Sequence, residues 1–257
     1  MDSFWQDTRY AARSLRRALP FTLAALATLA LGIGTTTAIF SVVNSALLKP
    51  PPYPEPDRIL VLGYPNGGSQ DGQIFHHVRD RAQSFQPLAA HSVSSGWNLV
   101  IGDHAEYAIG VPVSEGFFEV LGVAPLLGRG FSRVEDQANG PLTVVLSEPL
   151  WRRVLGARLE AIGEVVLLGG VPHTIIGVMP AGFRSVPVAD LWTPLRLSPT
   201  DNSRNYTVLG RLRGGVSPAQ AASELASLKS ELHRDVQGLS EARSQVLQWI
   251  AYQRWLD

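Results

Sequence analysis

Val165-Val-Leu-Leu-Gly-Gly-Val-Pro-His-Thr-Ile-Ile-Gly-Val-Met-Pro-Ala-Gly-Phe183 contains no charged side chain, and two structures compete for it. Its length approaches the roughly 20 apolar residues that a membrane-crossing helix needs. Its punctuation argues the other way. Gly169-Gly170 sits between the apolar runs Val165–Leu168 and Val171–Val178, which is the signature of a two-residue β-hairpin. Pro172, His173 and Pro180 add two helix breaks and a polar ring. The stretch therefore predicts a hairpin inside a folded domain, and with it an α+β fold for the residues around it.

A second charge-free run, Ala18 to Leu48, has no Gly-Gly pair, and its only proline, Pro20, stands near its start. Within Phe21–Val43 ten residues are Phe, Leu, Ile or Val, enough to drive insertion as a helix whose backbone is satisfied internally. The run is longer than the 7–15 apolar residues of a secretory signal, and no cleavage site follows it. Arg16-Arg17 is followed by residues that fit a twin-arginine signal poorly. The spacing predicts one transmembrane helix over about residues 21–43, within a membrane segment 19–48. Arg9, Arg13, Arg16 and Arg17 precede it, and only Lys49 follows closely. This asymmetry places the N-terminus in the cytoplasm and residues from about 50 onward outside. Upstream, Phe4, Thr8, Ala11, Ala12, Leu15 and Leu19 share one helical face, predicting an amphipathic helix over 1–18 along the inner leaflet. Ala30, Gly34 and Ala38 form a small-residue stripe suited to helix packing, with Thr37, Ser41 and Ser45 beside it.

The 257 residues are 45% hydrophobic and 17% charged, below the roughly 25% charged of an average soluble chain. The formal net charge is zero, so no global electrostatic attraction to nucleic acid exists. No cysteine is present, which removes disulfides and thiol metal sites.

Beyond the proline run at 50–52, strands are expected at Arg58–Leu62, Leu88–Val93, Trp97–Ile101, Glu106–Val113, Leu142–Leu146 and Tyr206–Arg213. Helices are expected at Gln73–Gln83, from Ser114 through Leu121 with Gly122 as its stop, and at Glu148–Leu155 before Gly156. Ser217-Pro218 starts another, to about Asp235, with Ala221, Leu225, Leu228 and Leu232 on one face. The last stretch, Val246–Leu256, fits helical spacing through Trp249, Tyr252 and Trp255, but is too short and polar to span a bilayer.

No P-loop, H-E-x-x-H, G-x-S-x-G or zinc-ligand spacing occurs. Gly32-Ile33-Gly34 lacks the third glycine of a dinucleotide loop and lies mid-span. His76-His77 are adjacent, so on a helix they point apart and make a poor metal pair. Asn205-Tyr206-Thr207 is a bare glycosylation sequon. Phe117-Phe118 and Trp151 read as core filling, with a ligand groove as the lesser reading. No catalytic, cofactor-binding or metal-binding residue is assigned.

Leu29-Ala-Leu-Gly-Ile-Gly34, continuing through Thr37-Ala-Ile-Phe-Ser-Val-Val-Asn44, resembles the first transmembrane helix of MacB/FtsX-like permease subunits of ABC transporters. Leu47-Leu-Lys-Pro50 and Pro52-Tyr-Pro-Glu-Pro-Asp-Arg58 resemble that family's exit into the periplasm. Val113-Ser-Glu-Gly-Phe-Phe118, Leu121-Gly-Val-Ala-Pro125, Leu127-Gly-Arg129, Val144-Val-Leu-Ser147, Leu150-Trp151, Ile176-Gly-Val-Met-Pro180, Gly182-Phe183, Leu191-Trp192 with Pro194, Gly210-Arg-Leu212 and Gly215-Val216 continue the likeness in order. It covers about residues 5–235 and is nearest to the large permeases of acidobacteria, which carry a MacB-like periplasmic core domain.

The resemblance implies a non-catalytic inner-membrane protein without cofactor, its N-terminus cytoplasmic and its main domain, 49–240, periplasmic. It implies two parts: a porter-like unit from 49–122 plus 205–240, and a smaller β-rich unit inserted at 123–204. A 241–257 tail follows. It implies an ABC ATPase subunit as partner in trans, whose activity is coupled to periplasmic conformational change for export. A homodimer is a further expectation. The family continues into three more membrane helices, so the chain is expected to be a C-terminally truncated permease. The competing expectation is a membrane-anchored periplasmic binding or scaffold protein without transport.

Overall fold

The computed structural model describes residues 19–43, 53–64, 69–203, 205–235 and 247–252. The amphipathic helix expected over 1–18 and most of the 241–257 tail, Trp255 included, lie outside the described residues. Two compact units divide the chain, residues 1–50 and 51–257.

Among the described residues of the first unit, one helix, α1, runs over Leu19–Val43, 25 residues without a charged side chain. At 1.5 Å per residue it is about 37 Å long. Its side chains are described without interruption only from Leu26 to Thr37, all exposed. Among the described residues no helix is long and apolar enough to cross a membrane.

The second unit is a mixed α/β fold. Its elements are β1 (Ile59–Gly63), α2 (Gly72–Arg81), β2 (Phe85–His91), β3 (Ser95–Ile101), β4 (His104–Val113), α3 (Phe117–Leu121) and β5 (Leu127–Gly128). There follow β6 (Thr143–Leu146), α4 (Glu148–Leu155), β7 (Val165–Leu168), β8 (Val171–Val178), β9 (Leu191–Pro194), β10 (Thr207–Leu212), α5 (Pro218–Asp235) and β11 (Gln248–Ala251). The opening stretch is the expected hairpin: Leu168 pairs with Val171, and Gly169 and Gly170 take φ of 58° and 85°. Both turn positions thus adopt the left-handed conformation that suits a right-twisted hairpin and favours glycine.

Six strands close on themselves. β4 pairs with β3, β3 with β7, β7 with β8, β8 with β6, β6 with β9, and β9 returns to β4. This is a small barrel, antiparallel except for β6–β8 and β4–β9. Leu99, Ala108, Val144, Leu146, Val166, Leu168, Ile175 and Leu191 form its core, joined by Leu150, Trp151 and Leu155 of α4. Ser147 caps α4, accepting from the Leu150 amide at 3.4 Å, and Gly156 ends it at φ 59°. The barrel takes β3 and β4 from ahead of Val123, so strand pairing crosses the 122/123 position.

Apart from the two-residue β5, which pairs with β8, the remaining strands form an open antiparallel sheet in the order β11-β1-β10-β2. All five residues of β1 are buried because both faces are covered. Leu60 and Leu62 face a core with Ile74, Phe75 and Val78 of α2 and Ala221, Leu225 and Leu232 of α5. Ile59 and Val61 face the other side, with Phe117, Phe118, Val120 and Leu121 of α3 and Trp192 of the barrel. Sheet and barrel therefore share one core, although their strand pairing is confined to His91 opposite Val113. That confinement lets β2 begin at Phe85, through Pro87, rather than at the expected Leu88: among the described residues no strand flanks its β4 side before His91. Proline is tolerated where no ladder partner needs its N–H.

The reading of Val246–Leu256 as helical is corrected over Gln248–Ala251 and not at Tyr252, which is helical. Gln248–Ala251 is a strand, antiparallel to β1, with Leu62 opposite Trp249 and Leu60 opposite Ala251. Trp249 and Tyr252 are three residues apart, which puts them on one face of a helix but on opposite faces of a strand. With the strand ending between them, Trp249 packs on Phe85 with ring centroids 4.3 Å apart, and Tyr252 enters the opposite core. The free edge of β1 selected the strand.

Candidate functional site

Three places merit consideration. The first is the helix-packing stripe. Ala30 and Gly34 lie about one turn apart on α1, both exposed, and a Cβ built on Gly34 would meet nothing within 4 Å. The side chain of Ala38 lies outside the description. Spacing by four residues keeps these positions on one helical face.

The second is a polar groove where α2, the start of α3 and the 131–138 loop meet. It comprises two adjoining cavities, of about 180 Å³ and 380 Å³. Arg79 and Glu115 line both, with Arg133 and Asp136 on one side and Phe131 and Glu119 on the other. Arg79 lies over the Phe75 ring at 5.0 Å and contacts His76 Nδ1 at 2.8 Å. His76 Nε2 is 3.2 Å from the Leu197 carbonyl. Burial, then Arg79, lowers the His76 pKa. A neutral ring donating to Leu197 and accepting from Arg79 satisfies both contacts. Asp136 accepts the amides of Glu115 at 2.9 Å and Arg196 at 3.0 Å. Burial raises its pKa despite those bonds. Both carboxylate oxygens are spent on backbone, so Asp136 staples the loop to α3.

The loop itself is pinned by Arg129, which donates to both oxygens of Glu135 at 2.7 and 2.9 Å. Ser132 adds its amide and hydroxyl, each at 2.8 Å. Burial pushes the Glu135 pKa up, but Arg129 and Ser132 together outweigh it and hold the carboxyl below its usual range.

The third place is the foot of the folded unit, where the chain arrives at Tyr53 and leaves at Tyr252. Arg211, buried on β10, donates through Nε to the Val120 carbonyl at 2.8 Å and through Nη2 to the Pro54 carbonyl at 2.9 Å. It thereby caps the end of α3, whose stop, Gly122, sits at φ 72° against Arg211 and Pro54. Among the described residues no carboxylate accepts a bond from Arg211, and burial lowers its pKa. Arg58 donates to the Leu212 carbonyl from Nε at 3.2 Å and Nη2 at 2.6 Å. Tyr53 donates its hydroxyl to the Arg184 carbonyl.

His76 and His77 diverge: the first faces Leu197, while His77 Nδ1 lies 3.7 Å from Asp235 of α5. Among the described residues no group of three or more metal-ligating side chains occurs. Phe117, Phe118 and Trp151 are core residues, 2%, 2% and 4% exposed. The sequence reading did not single out Arg211, Tyr53 or Asp136. Arg211 and Tyr53 lay inside quoted motifs, but only the fold brings them together.

Comparison with known proteins gives consistent findings. The macrolide export ATP-binding/permease protein MacB 1 of Yersinia pestis is 28% identical over 161 residues, 60% of this chain and 24% of that protein. The MacB of Salmonella paratyphi A is 30% identical over 166 residues, 61% of this chain and 25% of that one. The chain thus spans about a quarter of the length of these curated relatives. Among solved structures, a permease domain from Porphyromonas gingivalis superposes with a TM-score of 0.61 at 17% identity, covering 78% of this chain and 93% of that one. The periplasmic region of MacB from Actinobacillus actinomycetemcomitans gives 0.56 at 17% identity, covering 76% and 88%. Those two likenesses speak for the fold. The model of the MacB-like periplasmic core domain matches residues 22–228, most of the chain, and the chain belongs to that family.

Proposed function

We propose that this chain is a permease component of a MacB/FtsX-type ABC transporter, held in the bacterial inner membrane by α1 with the folded unit in the periplasm. The observation that carries the reading is the extent of the family match: it begins at residue 22, inside α1, and runs on to 228. Helix and folded unit are thus parts of one inherited architecture. The anchor follows from the sequence: Leu19–Val43 carries no charged side chain, and a span needs about 20 apolar residues. In this reading a separate cytoplasmic ATPase hydrolyses ATP, and the chain carries the resulting motion outward for export without chemistry of its own. The Ala30, Gly34 and Ala38 stripe is where a neighbouring helix backbone packs, in this chain or a second copy. The folded unit works as two parts, a porter-like unit of 49–122 plus 205–240 and a smaller unit inserted at 123–204.

Affinity purification from native membranes, using the longest form the gene encodes, tests the central claim. Recovery of a nucleotide-binding ATPase supports it. A complex lacking any ATPase would favour the anchored scaffold instead. A reporter fused after Asp57 should be active only outside the cytoplasm; activity inside reverses the orientation.

A further inference from the structure

The segment arriving from residue 52 is fastened far more heavily than a linker requires. Tyr53 is 6% exposed, and its hydroxyl donates to the backbone of Arg184, in the connection between β8 and β9. Tyr252, just after β11, is 2% exposed, with its ring centroid 5.9 Å from that of Tyr53. A side-chain hydrogen bond links the two phenols, and burial raises both of their pKa values. The next residue, Pro54, receives Arg211 of the open sheet. One dipeptide therefore touches the sheet, the barrel connection and the departing strand.

A phenol fills core space no better than phenylalanine, and burying its hydroxyl costs free energy unless it is bonded. Here two hydroxyls are buried in series and end on a backbone carbonyl. Strand pairing between sheet and barrel is confined to the β2–β4 crossing, so this relay ties the halves at a second place. The antiparallel register of β11 on β1 also brings the departing chain back to the end where the arriving chain entered.

We propose that Tyr53 is a positioning residue: the hub that locks the arriving segment, the barrel connection and the departing strand into one body at the foot of the folded unit. A pull or twist on the arriving chain then turns sheet and barrel together instead of being absorbed in a slack linker. The relay of motion rests on the permease reading; the hub itself does not.

The full chain in lipid nanodiscs provides the test. It has no cysteine, so Ser223→Cys on α5 and Val165→Cys on β7, both exposed, can carry spin labels for a distance measurement. Tyr53→Phe keeps the ring but removes both hydroxyl bonds, and should broaden the label–label distribution at least twofold. Tyr252→Phe should leave that distribution narrow while raising amide exchange at 248–251 about tenfold, the effect of one lost hydrogen bond. An unchanged distribution in Tyr53→Phe overturns the hub. Should that variant fail to fold, native-state exchange on the otherwise unaltered chain decides. Amides at 53, 184–185 and 251–252 should open with one common free energy, and separate openings overturn the proposal. Neither measurement involves an ATPase, so failure of the hub and failure of the permease reading give different results.

Discussion

In the barrel each of the six strands has a hydrogen-bonded neighbour on both sides, whereas in the open sheet β1 gains its second neighbour from only four residues, Gln248–Ala251. The barrel removes its edges by closure. The sheet covers one edge with a strand from far along the chain, whose outer side has no strand neighbour among the described residues. Unpaired edges are templates for association, so the two regions should differ in what a local lesion does. Barrel damage has no partial form to retreat to, while loss of β11 should leave a folded body with an exposed apolar strand. Against that contrast stands the shared core around Phe118 and Trp192, whose ring centroids are 5.7 Å apart, which should make the two regions melt as one.

The largest expected effect tests that unity. Leu146→Ala in the barrel and Leu60→Ala in the sheet, both buried, should each cost about 2–5 kcal/mol. Each should shift a single denaturant transition without changing its slope. Two separated transitions in the barrel variant would show that the regions fold independently. Next, Ile250→Pro should remove β11 from β1 at a cost of about 1–2 kcal/mol, one or two net hydrogen bonds. Exchange at 59–63 should rise and the chain should self-associate, while barrel amides keep their protection; equal loss in both regions breaks the comparison.

A smaller effect concerns α5, which covers only the sheet. Ser217 and Gln220 form a reciprocal capping box, the Ser217 amide donating to Gln220 Oε1 at 2.7 Å and the Gln220 amide to Ser217 Oγ at 3.3 Å. Ser217→Ala should cost about 1 kcal/mol, read as a lower Tm together with faster exchange in α5 alone. The smallest effect is a pH dependence beside the barrel. The folded-state pKa of Glu135 lies below its unfolded value, so the unfolded chain binds more protons and this carboxylate's contribution is present above about pH 4.5. It is lost as pH falls through the lower, folded pKa. Glu135→Gln should flatten the acid limb of the stability curve below about pH 4.5 and leave neutral pH least changed in slope. An identical acid limb would mean that the Arg129–Glu135 pair is not what sets it.

Several elements were legible from residues alone because their signals are local. Gly169-Gly170 needs left-handed backbone at both turn positions, Ser147 and Ser217 offer hydroxyls to helix amides, and Gly122 and Gly156 end helices at positive φ. The candidate sites were less legible. The stripe at Ala30, Gly34 and Ala38 could be read because it is a spacing within one helix. Tyr53, Arg211 and Tyr252 could not be joined, since Tyr53 and Arg184 are 131 residues apart and Pro54 and Arg211 are 157 apart. No periodicity reports such a meeting.

By itself, the sequence determined that one uncharged run is a helix and the other a hairpin, because backbone conformation there follows from glycine, proline and charge within a few neighbouring residues. It also determined the family, through a string of short motifs in a fixed order. Only the tertiary structure decided that Gln248–Ala251 is a strand and that six strands close into a barrel. It also decided which backbone carbonyls receive Tyr53 and Arg211. Those outcomes depend on which edges and buried polar groups are left unpaired once the rest of the chain has packed, and that is a property of the assembled core.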